Sequence, residues 1–285
     1  MSKIDEFESL FKSASKPVFH VEPVRIKNVV IVVDIEKDVA GEFVERVENF
    51  LKVLNSVDLT IETTIVDGDD FQSVQQLLDI VKGKSADLIC TYRNLHGSAA
   101  DFPFSLGEYV DVLTQVAEIP VLLLPRPEHL TDKMLANTDR VMLMTDHLAG
   151  DNRLVTYGAL FTQDHGKLIL AHVEDEQTFL RYMQVISKIQ DIDTQIAEQA
   201  IMDQLLKEPR DFIVSCEEGL KEAGLPLEIE PVVTVGHHLA DYKKLVIEHE
   251  TDLLVLNTKD EDQLAMHGLA YPVSVELREV PLLLI

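Results

Sequence analysis

Apolar runs of strand length alternate with stretches of helical period, and the same alternation occurs twice along the chain. The apolar runs are 29–34, 59–68, 86–92 and 119–125 in the first half, and 140–146, 167–175, 227–236, 251–257 and 280–285 in the second. The helical stretches are 41–54, 73–83, 151–162, 175–224 and 240–250. Strands of nearly continuous Val, Ile and Leu are typical of a parallel sheet that helices bury on both faces. We therefore predict an α/β chain of two tandem, open, parallel-sheet domains of the Rossmann-like kind.

A polar, proline-containing segment at 125–139 separates the two repeats. It predicts a first domain at 28–136 and a second at 137–285. The first is shorter because it has one strand between its opening helix and the strand at 86–92. The second has two strands between its opening helix and the corresponding strand at 251–257. An N-terminal extension at 1–27 precedes both, and it places four apolar residues on one helical face, so it is expected to pack on its own domain or on another subunit. These residues are Ile4, Phe7, Leu10 and Phe11.

Two further segments bear on packing. The region 175–224 carries apolar residues at helical spacing, which favours a helical cover over the sheet, with a lid or a partner-docking face as the alternatives. Each repeat ends on a Leu-rich strand, at 120–124 and 282–285. Because an unpaired apolar edge promotes aggregation, we expect these strands to pair with each other in one chain or across a dimer. The expected assembly is a homodimer or an intrachain pseudo-dimer.

The charge of the chain restricts its partners. Fifty acidic residues against 25 basic ones give a net charge of −25. Nucleic acids and anionic membranes bind clustered Lys and Arg, so neither is an expected partner, whereas a basic protein is compatible. The sequence has no apolar run of 18 residues and no secretory signal pattern. Cys90 and Cys216 lack metal-ligand spacing, which predicts buried, reduced thiols in a cytoplasmic protein.

The repeats resemble the universal stress protein family in its tandem form, over about residues 28–285. The resemblance is carried by the opening strands "VVIVVD" and "VMLMTD", the second strand "LILAHVED", the turns "VDGDD" and "VTVGHH", and the fourth strands "ADLICTY" and "TDLLVLN". Both closing stretches keep one spacing: Gly107 lies thirteen residues before Pro120, and Gly268 lies thirteen before Pro281. The resemblance implies a role in stress adaptation.

Nucleotide-binding members of that family follow the fourth strand with G-x2-G-x9-G-[ST], in which glycines admit phosphates to backbone N–H groups. Here the first two positions are Tyr92 and Leu95 in one repeat, and Asn257 and Asp260 in the other. Glu108 follows Gly107 and Leu269 follows Gly268, so neither repeat ends in the hydroxyl residue. Both motifs are therefore expected to be degenerate.

The loop after the last fourth strand is also acidic, at Asp260, Glu261 and Asp262. Each carboxylate near a phosphate costs roughly 1 to 3 kcal/mol of repulsion at effective dielectrics of about 80 to 20. We therefore expect no cofactor. ATP held through a bridging Mg²⁺ is the alternative, because carboxylates suit that ion.

Five residues remain candidates for contact with a nucleotide. Asp34 and Asp146 follow the opening strands, where the resemblance places an acid that meets adenine; a turn cap is the simpler role. Gly236, with Gly68 as its counterpart, matches a turn glycine, and Asn257 and Gly268 occupy motif positions.

The other motifs in the sequence give weaker indications. His237 and Asp241 have the spacing of a ligand pair but no third ligand, and His172 reads as a core histidine. No nucleophile elbow, P-loop or paired-carboxylate signature indicates an enzyme. We predict a non-enzymatic protein that acts in stress response through protein contacts. The alternatives are a regulator that binds an adenine nucleotide in the second repeat and a carrier of apolar ligands.

Overall fold

Nine strands form one sheet in the part of the chain that the computed structural model describes, which is 16–55, 59–97, 104–117, 119–131, 133–145, 148–189, 192–258 and 270–285. The strands are β1 (Asn28–Val32), β2 (Glu62–Val66), β3 (Leu88–Tyr92), β4 (Val121–Leu124), β5 (Arg140–Met144), β6 (Lys167–Asp175), β7 (Glu228–Gly236), β8 (Leu253–Leu256) and β9 (Leu282–Leu284). The α-helices are α1 (Lys37–Phe50), α2 (Val74–Gly83), α3 (Glu108–Val116), α4 (Asn152–Phe161), α5 (Glu176–Ile186), α6 (Thr194–Glu222), α7 (His238–Glu248) and α8 (Ala270–Glu276). Short 3-10 helices follow at Leu51–Leu54 and Pro127–His129.

The strand order is β2-β1-β3-β4-β9-β8-β5-β6-β7. Every neighbouring pair is parallel except β4 and β9, which run antiparallel with Leu122 opposite Leu283. The two Leu-rich closing strands thus pair with each other within one chain, which was one of the two predicted arrangements. Because the pair is antiparallel, the first strand set, β1–β4, and the second strand set, β5–β9, run in opposite directions. The carboxyl ends of the first set therefore lie on the side of the sheet where the second set has its amino ends.

The centre of the sheet is buried on both faces. All residues of β3, β4, β8 and β9 are buried, as are all but the first residues of β1 and β5. This continuous burial explains their uninterrupted Val, Ile and Leu composition, and it confirms the predicted α/β class. Cys90 and Cys216 are buried free thiols, also as predicted. Among the described residues, no helix has both the length and the apolar character to cross a membrane.

The shorter repeat lacks a strand at the edge of the sheet. β2 pairs directly with β1, as β6 pairs with β5, whereas β7 lies one strand further out. The turn glycines Gly68 and Gly236 therefore have different surroundings, although their sequence contexts match. A Cβ at Gly68 would meet the backbone oxygen of Asp34 at 2.8 Å, so this glycine allows β2 to end close against the end of β1.

The long helical region forms α5 and α6. The C-terminal half of α6 packs on β6 and β7 and buries Phe212, Cys216 and Leu220, so the predicted cover is confirmed there. The outer face of α5 remains exposed. Tyr182 and Val185, three residues apart, are exposed on this face and Ile189 follows them, whereas Leu180 is exposed on another side of the helix.

Residues 16–22, which we call the strap, lie on helices of the second repeat before the chain enters β1. Lys16 pairs with Asp211 on α6 at 2.7 Å, and the Phe19 ring meets the Phe212 ring edge to face at 6.3 Å. The amide of Glu22 donates to the Thr156 hydroxyl on α4 at 3.1 Å. The strap thus lies on helices of the second repeat. The apolar residues Ile4, Phe7, Leu10 and Phe11 lie outside the described residues.

Candidate functional site at the two switch points

The sheet has two points at which the strand order reverses, between β1 and β3 and between β5 and β8. Ligands of open α/β sheets bind in the crevice outside the carboxyl ends of the strands at such a point. Because the two strand sets run in opposite directions, one crevice lies at one end of the strands and the other crevice lies at the opposite end. Each is therefore a separate candidate site.

Asp34 follows β1 at the first switch point, and its side chain is only 9% exposed. The Tyr92 hydroxyl, at the end of β3, donates to Asp34 Oδ1 and accepts from the Asp34 amide at 3.0 Å. The backbone amide of His96 donates to Asp34 Oδ2 at 3.0 Å. Burial, followed by the bond to Asp34, raises the pKa of Tyr92 above its usual range. The carboxylate thus binds protein donors from across the crevice.

Arg126, which follows β4, closes the same crevice from a third strand. Its guanidinium lies 5.1 Å from the centre of the Tyr92 ring, and Nη2 is 3.8 Å from Asp34 Oδ2. Nη1 donates to the backbone oxygens of Arg93 and Asn94 at 2.9 and 3.0 Å. A cation over an aromatic face is attractive, so ring, carboxylate and guanidinium hold one another in place. Asp34 therefore lies in a closed polar cluster, a position that favours its simpler, structural role.

Gly107 has a packing role beside this cluster. It is the residue before the first residue of α3 and has φ of +91°, and a Cβ there would lie 2.7 Å from the Cα of Asn94. A glycine is required both by the positive φ and by the close approach of the two backbones. Leu95, at the second motif position, is buried. The residues at the first two motif positions of the first repeat, Tyr92 and Leu95, are therefore both packed in the core.

At the second switch point, the Asn257 amide nitrogen at the end of β8 donates to Asp151 Oδ2. Asp151 also caps α4, because its other oxygen accepts from the Leu154 amide at 3.0 Å. Burial raises the pKa of Asp151 above its ordinary value. Asp146 and Gly268, the other candidates here, lie outside the described residues, as does the acidic loop Asp260, Glu261 and Asp262.

The two crevices therefore share an arrangement that was not predicted from the sequence. In each, the residue at the first glycine position donates from its side chain to a carboxylate across the switch point: Tyr92 to Asp34, and Asn257 to Asp151. Asp151 was missed as a site residue, although its place at the start of the helix predicted at 151–162 marks it as a cap. The side-chain bonds depend on the strand order, which local periodicity does not report.

Gly236 lies at a different place, beside an open cleft of about 520 Å³ between the ends of β6 and β7 and the start of α7. The cleft is lined by Asp175, Gln177, His237, Leu239, Ala240 and Lys243. Lys243 is paired with Glu276 at 2.6 Å. His237 and Asp241 interact through the His237 amide, which donates to the Asp241 carboxylate at 2.5 Å, an arrangement that uses the carboxylate to hold the helix start. Across the described residues, no three His, Cys, Asp or Glu side chains converge as a metal site.

Two solved structures have this fold over almost the whole chain. A functionally unknown protein from Pseudomonas aeruginosa PAO1 is 12% identical, with a TM-score of 0.51, and the match covers 91% of this chain and 92% of that one. A universal stress protein from Archaeoglobus fulgidus is also 12% identical, with a TM-score of 0.50 and coverage of 92% and 96%. Neither a protein-family model nor a curated protein matches the sequence. The chain thus has the fold of a universal stress protein.

Proposed function

We propose that this chain is a universal stress protein-like, non-enzymatic protein of the cytoplasm that acts in stress response through contacts with other proteins and without ATP. The observation that carries the proposal is the occupation of both switch points by paired side chains of the protein itself. A ligand that needs Asp34 must first displace the Tyr92 hydroxyl and the His96 amide. Hydrogen bonds to a charged group are worth about 1.5 to 3 kcal/mol each, so the displacement is costly.

Tyr92 opposes nucleotide binding in a second way. In the motif, a glycine at this place lets the backbone approach a phosphate closely. Tyr92 instead places a fully buried ring there, with Arg126 stacked over it. A phosphate could reach this crevice only if the ring, the guanidinium and the carboxylate all moved.

The outer face of α5 supports the protein-contact part of the proposal. Two apolar side chains lie together on this face, because they are three residues apart, with exposed fractions of 63% for Tyr182 and 59% for Val185. Contiguous exposed apolar surface marks interaction sites. The net charge of −25 favours a partner with basic residues around an apolar centre, since complementary charge promotes encounter.

Paired substitutions on α5 test this role. We expect Tyr182→Asp with Val185→Asp to abolish capture of the partner when the tagged protein is isolated from its own cells under stress, and to lower survival of that stress. Ile247→Asp is the matched control, because Ile247 is 73% exposed on α7, away from this face. Equal capture and survival for both variants and the unaltered protein would overturn the proposal.

A second candidate function is an adenine-nucleotide-responsive regulator that uses the second repeat. It is favoured by the cleft beside Gly236, whose volume of about 520 Å³ is in the range of small-ligand sites. Against it, Lys243 is already paired with Glu276, and Asp175 brings a carboxylate to the cleft. If this candidate is correct, Asp260→Gly should strengthen Mg²⁺-dependent binding of ATP. The cleft is open and has the charged residues Asp175 and Lys243 in its lining, which does not favour an apolar-ligand carrier.

A further inference from the structure

The two outer strands of the sheet, β2 and β7, have different free edges. On β2, side chains cover the backbone at both ends of the strand. The Ile61 amide donates to Asn55 Oδ1 at 3.0 Å, and the Asp67 amide donates to Asp70 Oδ2 at 3.1 Å. β7 is the longer strand, with nine residues against five. Because a free edge presents a row of N–H and C=O groups to another chain, β7 is the larger template for pairing.

Alternate residues of β7 direct their backbone groups away from β6. The Glu228 amide donates to the backbone oxygen of Gly166 at 2.9 Å, and in a parallel ladder every second residue bonds to the same neighbouring strand. The even-numbered residues of β7 therefore bond to β6. The odd-numbered residues, which face the open edge, are Ile229, Pro231, Val233 and Val235. Within the described part of the chain, β6 is the only strand that pairs with β7.

Pro231 divides this edge into two parts. It has no N–H, and its ring stands where a partner strand would approach, so pairing across it is disfavoured. Just beyond the strand, the His237 amide is already bonded to a carboxylate of α7 at 2.5 Å. Val233 and Val235 lie between these two ends, and each has both an amide and a carbonyl group. The Val235 oxygen accepts from the Thr234 hydroxyl at 3.4 Å and retains a second lone pair.

This open part of the edge carries no charge. Residues 231–236 are Pro, Val, Val, Thr, Val and Gly. The carboxylates of the strand belong to Glu228 and Glu230, and both pair with Lys167, at 3.2 and 2.7 Å. Two chains of net charge −25 repel each other, and an uncharged stretch is where they can approach at least cost. A basic partner would find no carboxylate here, so the chemistry fits a second copy of the same strand.

We propose that β7 pairs antiparallel with β7 of a second copy about a two-fold axis at Thr234, which joins the two sheets into one. In this register, Val233 of each chain lies opposite Val235 of the partner subunit, and each such pair exchanges two N–H···O bonds. β-Branched side chains thus face each other across the strands, which favours pairing. Pro231 stays outside the paired segment, whereas an axis nearer the start of the strand would bring it inside.

The proposed pairing does not depend on the proposed function, because it concerns an edge of the sheet and not the outer face of α5. It also leaves the closing strands β4 and β9 as they are, paired with each other in the middle of the sheet.

Disulfide trapping in the full chain tests the register. The axis places Thr234 opposite itself, in a pair whose Cα atoms are about 4.5 Å apart, which is within reach of a disulfide. Glu228 is exposed on the same side of the strand, but its two copies would lie about 40 Å apart at about 3.4 Å per residue. Thr234→Cys should therefore form disulfide-linked dimers about tenfold faster than Glu228→Cys, or more.

Cys90 and Cys216 stay in place in both variants, since burial raises the pKa of both thiols and keeps them unreactive. Equal rates of dimer formation for the two variants, or no dimers from Thr234→Cys, would overturn the proposal.

Analytical ultracentrifugation gives a second readout that needs no cross-link. The unaltered protein should sediment as a concentration-dependent dimer. Val233→Pro should weaken this dimer by about tenfold or more, because two of its four hydrogen bonds lose their donor. Ile229→Pro is the matched control, since it also removes an outward amide but lies outside the paired segment, and it should leave the dimer intact. A monomeric unaltered protein, or equal weakening by both prolines, would contradict pairing at this edge.

Discussion

At the scale of single residues, the two repeats reach the same result with different side chains. Tyr92 and Asn257 each stand at a first motif position and each donate to a buried or half-buried carboxylate across a switch point. A glycine in either place would leave its carboxylate with one donor fewer. Each of these two side chains therefore stabilises the acid that it faces.

Removal of the Tyr92 hydroxyl tests this coupling. We expect Tyr92→Phe to lower the free energy of unfolding by about 1 to 3 kcal/mol, since the Asp34 carboxylate and amide both lose a partner in a buried setting. The measurement is urea denaturation. Tyr182→Phe serves as the control and should change stability by less than about 0.5 kcal/mol, because Tyr182 is 63% exposed. Equal, small effects would mean that the bridge contributes nothing.

Asp151 predicts a defined dependence on pH. Burial raises the pKa of Asp151 in the folded protein, so the folded state holds this proton more tightly than the unfolded state. Its contribution to stability is thus lost as pH rises from about 4, the ordinary value, through the raised folded pKa. Asp151→Asn keeps a good helix cap and abolishes this loss. The stability of the variant relative to the unaltered protein should therefore be higher at pH 7 than at pH 4 in urea denaturation; an unchanged difference would contradict the buried charge.

At the scale of elements, the turn between β3 and α3 depends on one glycine. Gly107→Ala should lower the free energy of unfolding by about 1 to 3 kcal/mol, because it combines positive φ with a backbone contact. Gly41→Ala is the matched change inside α1, where a Cβ would meet nothing within 4 Å, and it should raise stability by about 0.5 to 1 kcal/mol. Thermal unfolding of both variants checks the opposite signs, and two changes of equal sign would contradict this view of the turn.

The sequence predicted the positions of strands better than it predicted which elements lie next to each other in the fold. The strand at 167–175 coincides with β6, and the Leu-rich closing strands pair as one alternative required, because both follow from burial that local composition reports. The edge position of β2, the strap on α4 and α6, and the bond between Asn257 and Asp151 were not predicted. Each depends on which distant segments become adjacent, and no periodicity along the chain records that. The domain boundaries at 136 and 137 remain a prediction.

At the scale of the whole molecule, Arg93 links the two strand sets beyond the β4–β9 pair. Its buried guanidinium donates to the backbone oxygens of Ser274 and Leu277 at the end of α8, at 2.7 and 2.6 Å from Nη2. Burial, followed by the charge of Arg278, lowers the pKa of Arg93 to about 10. The charge is held by carbonyl oxygens at a helix C-terminus, where a cation is favoured.

Arg93→Met should therefore lower the free energy of unfolding by about 1 to 3 kcal/mol, because two buried carbonyl groups lose their donor. Arg140→Met is the control. Its ion pair with Glu250 is exposed, and such pairs contribute at most about 1 kcal/mol. Urea denaturation measures both; a larger effect at Arg140 would contradict a structural role for the Arg93 link.

The central claim is that side chains of the protein itself occupy both switch-point crevices, and calorimetric titration of the purified protein with ATP and Mg²⁺ tests it most directly. The account predicts no binding heat up to millimolar ATP and no rise in melting temperature under the same conditions. Saturable binding with one nucleotide per chain would contradict it. At about 100 times its dissociation constant, such binding would also stabilise the fold by roughly 2.7 kcal/mol.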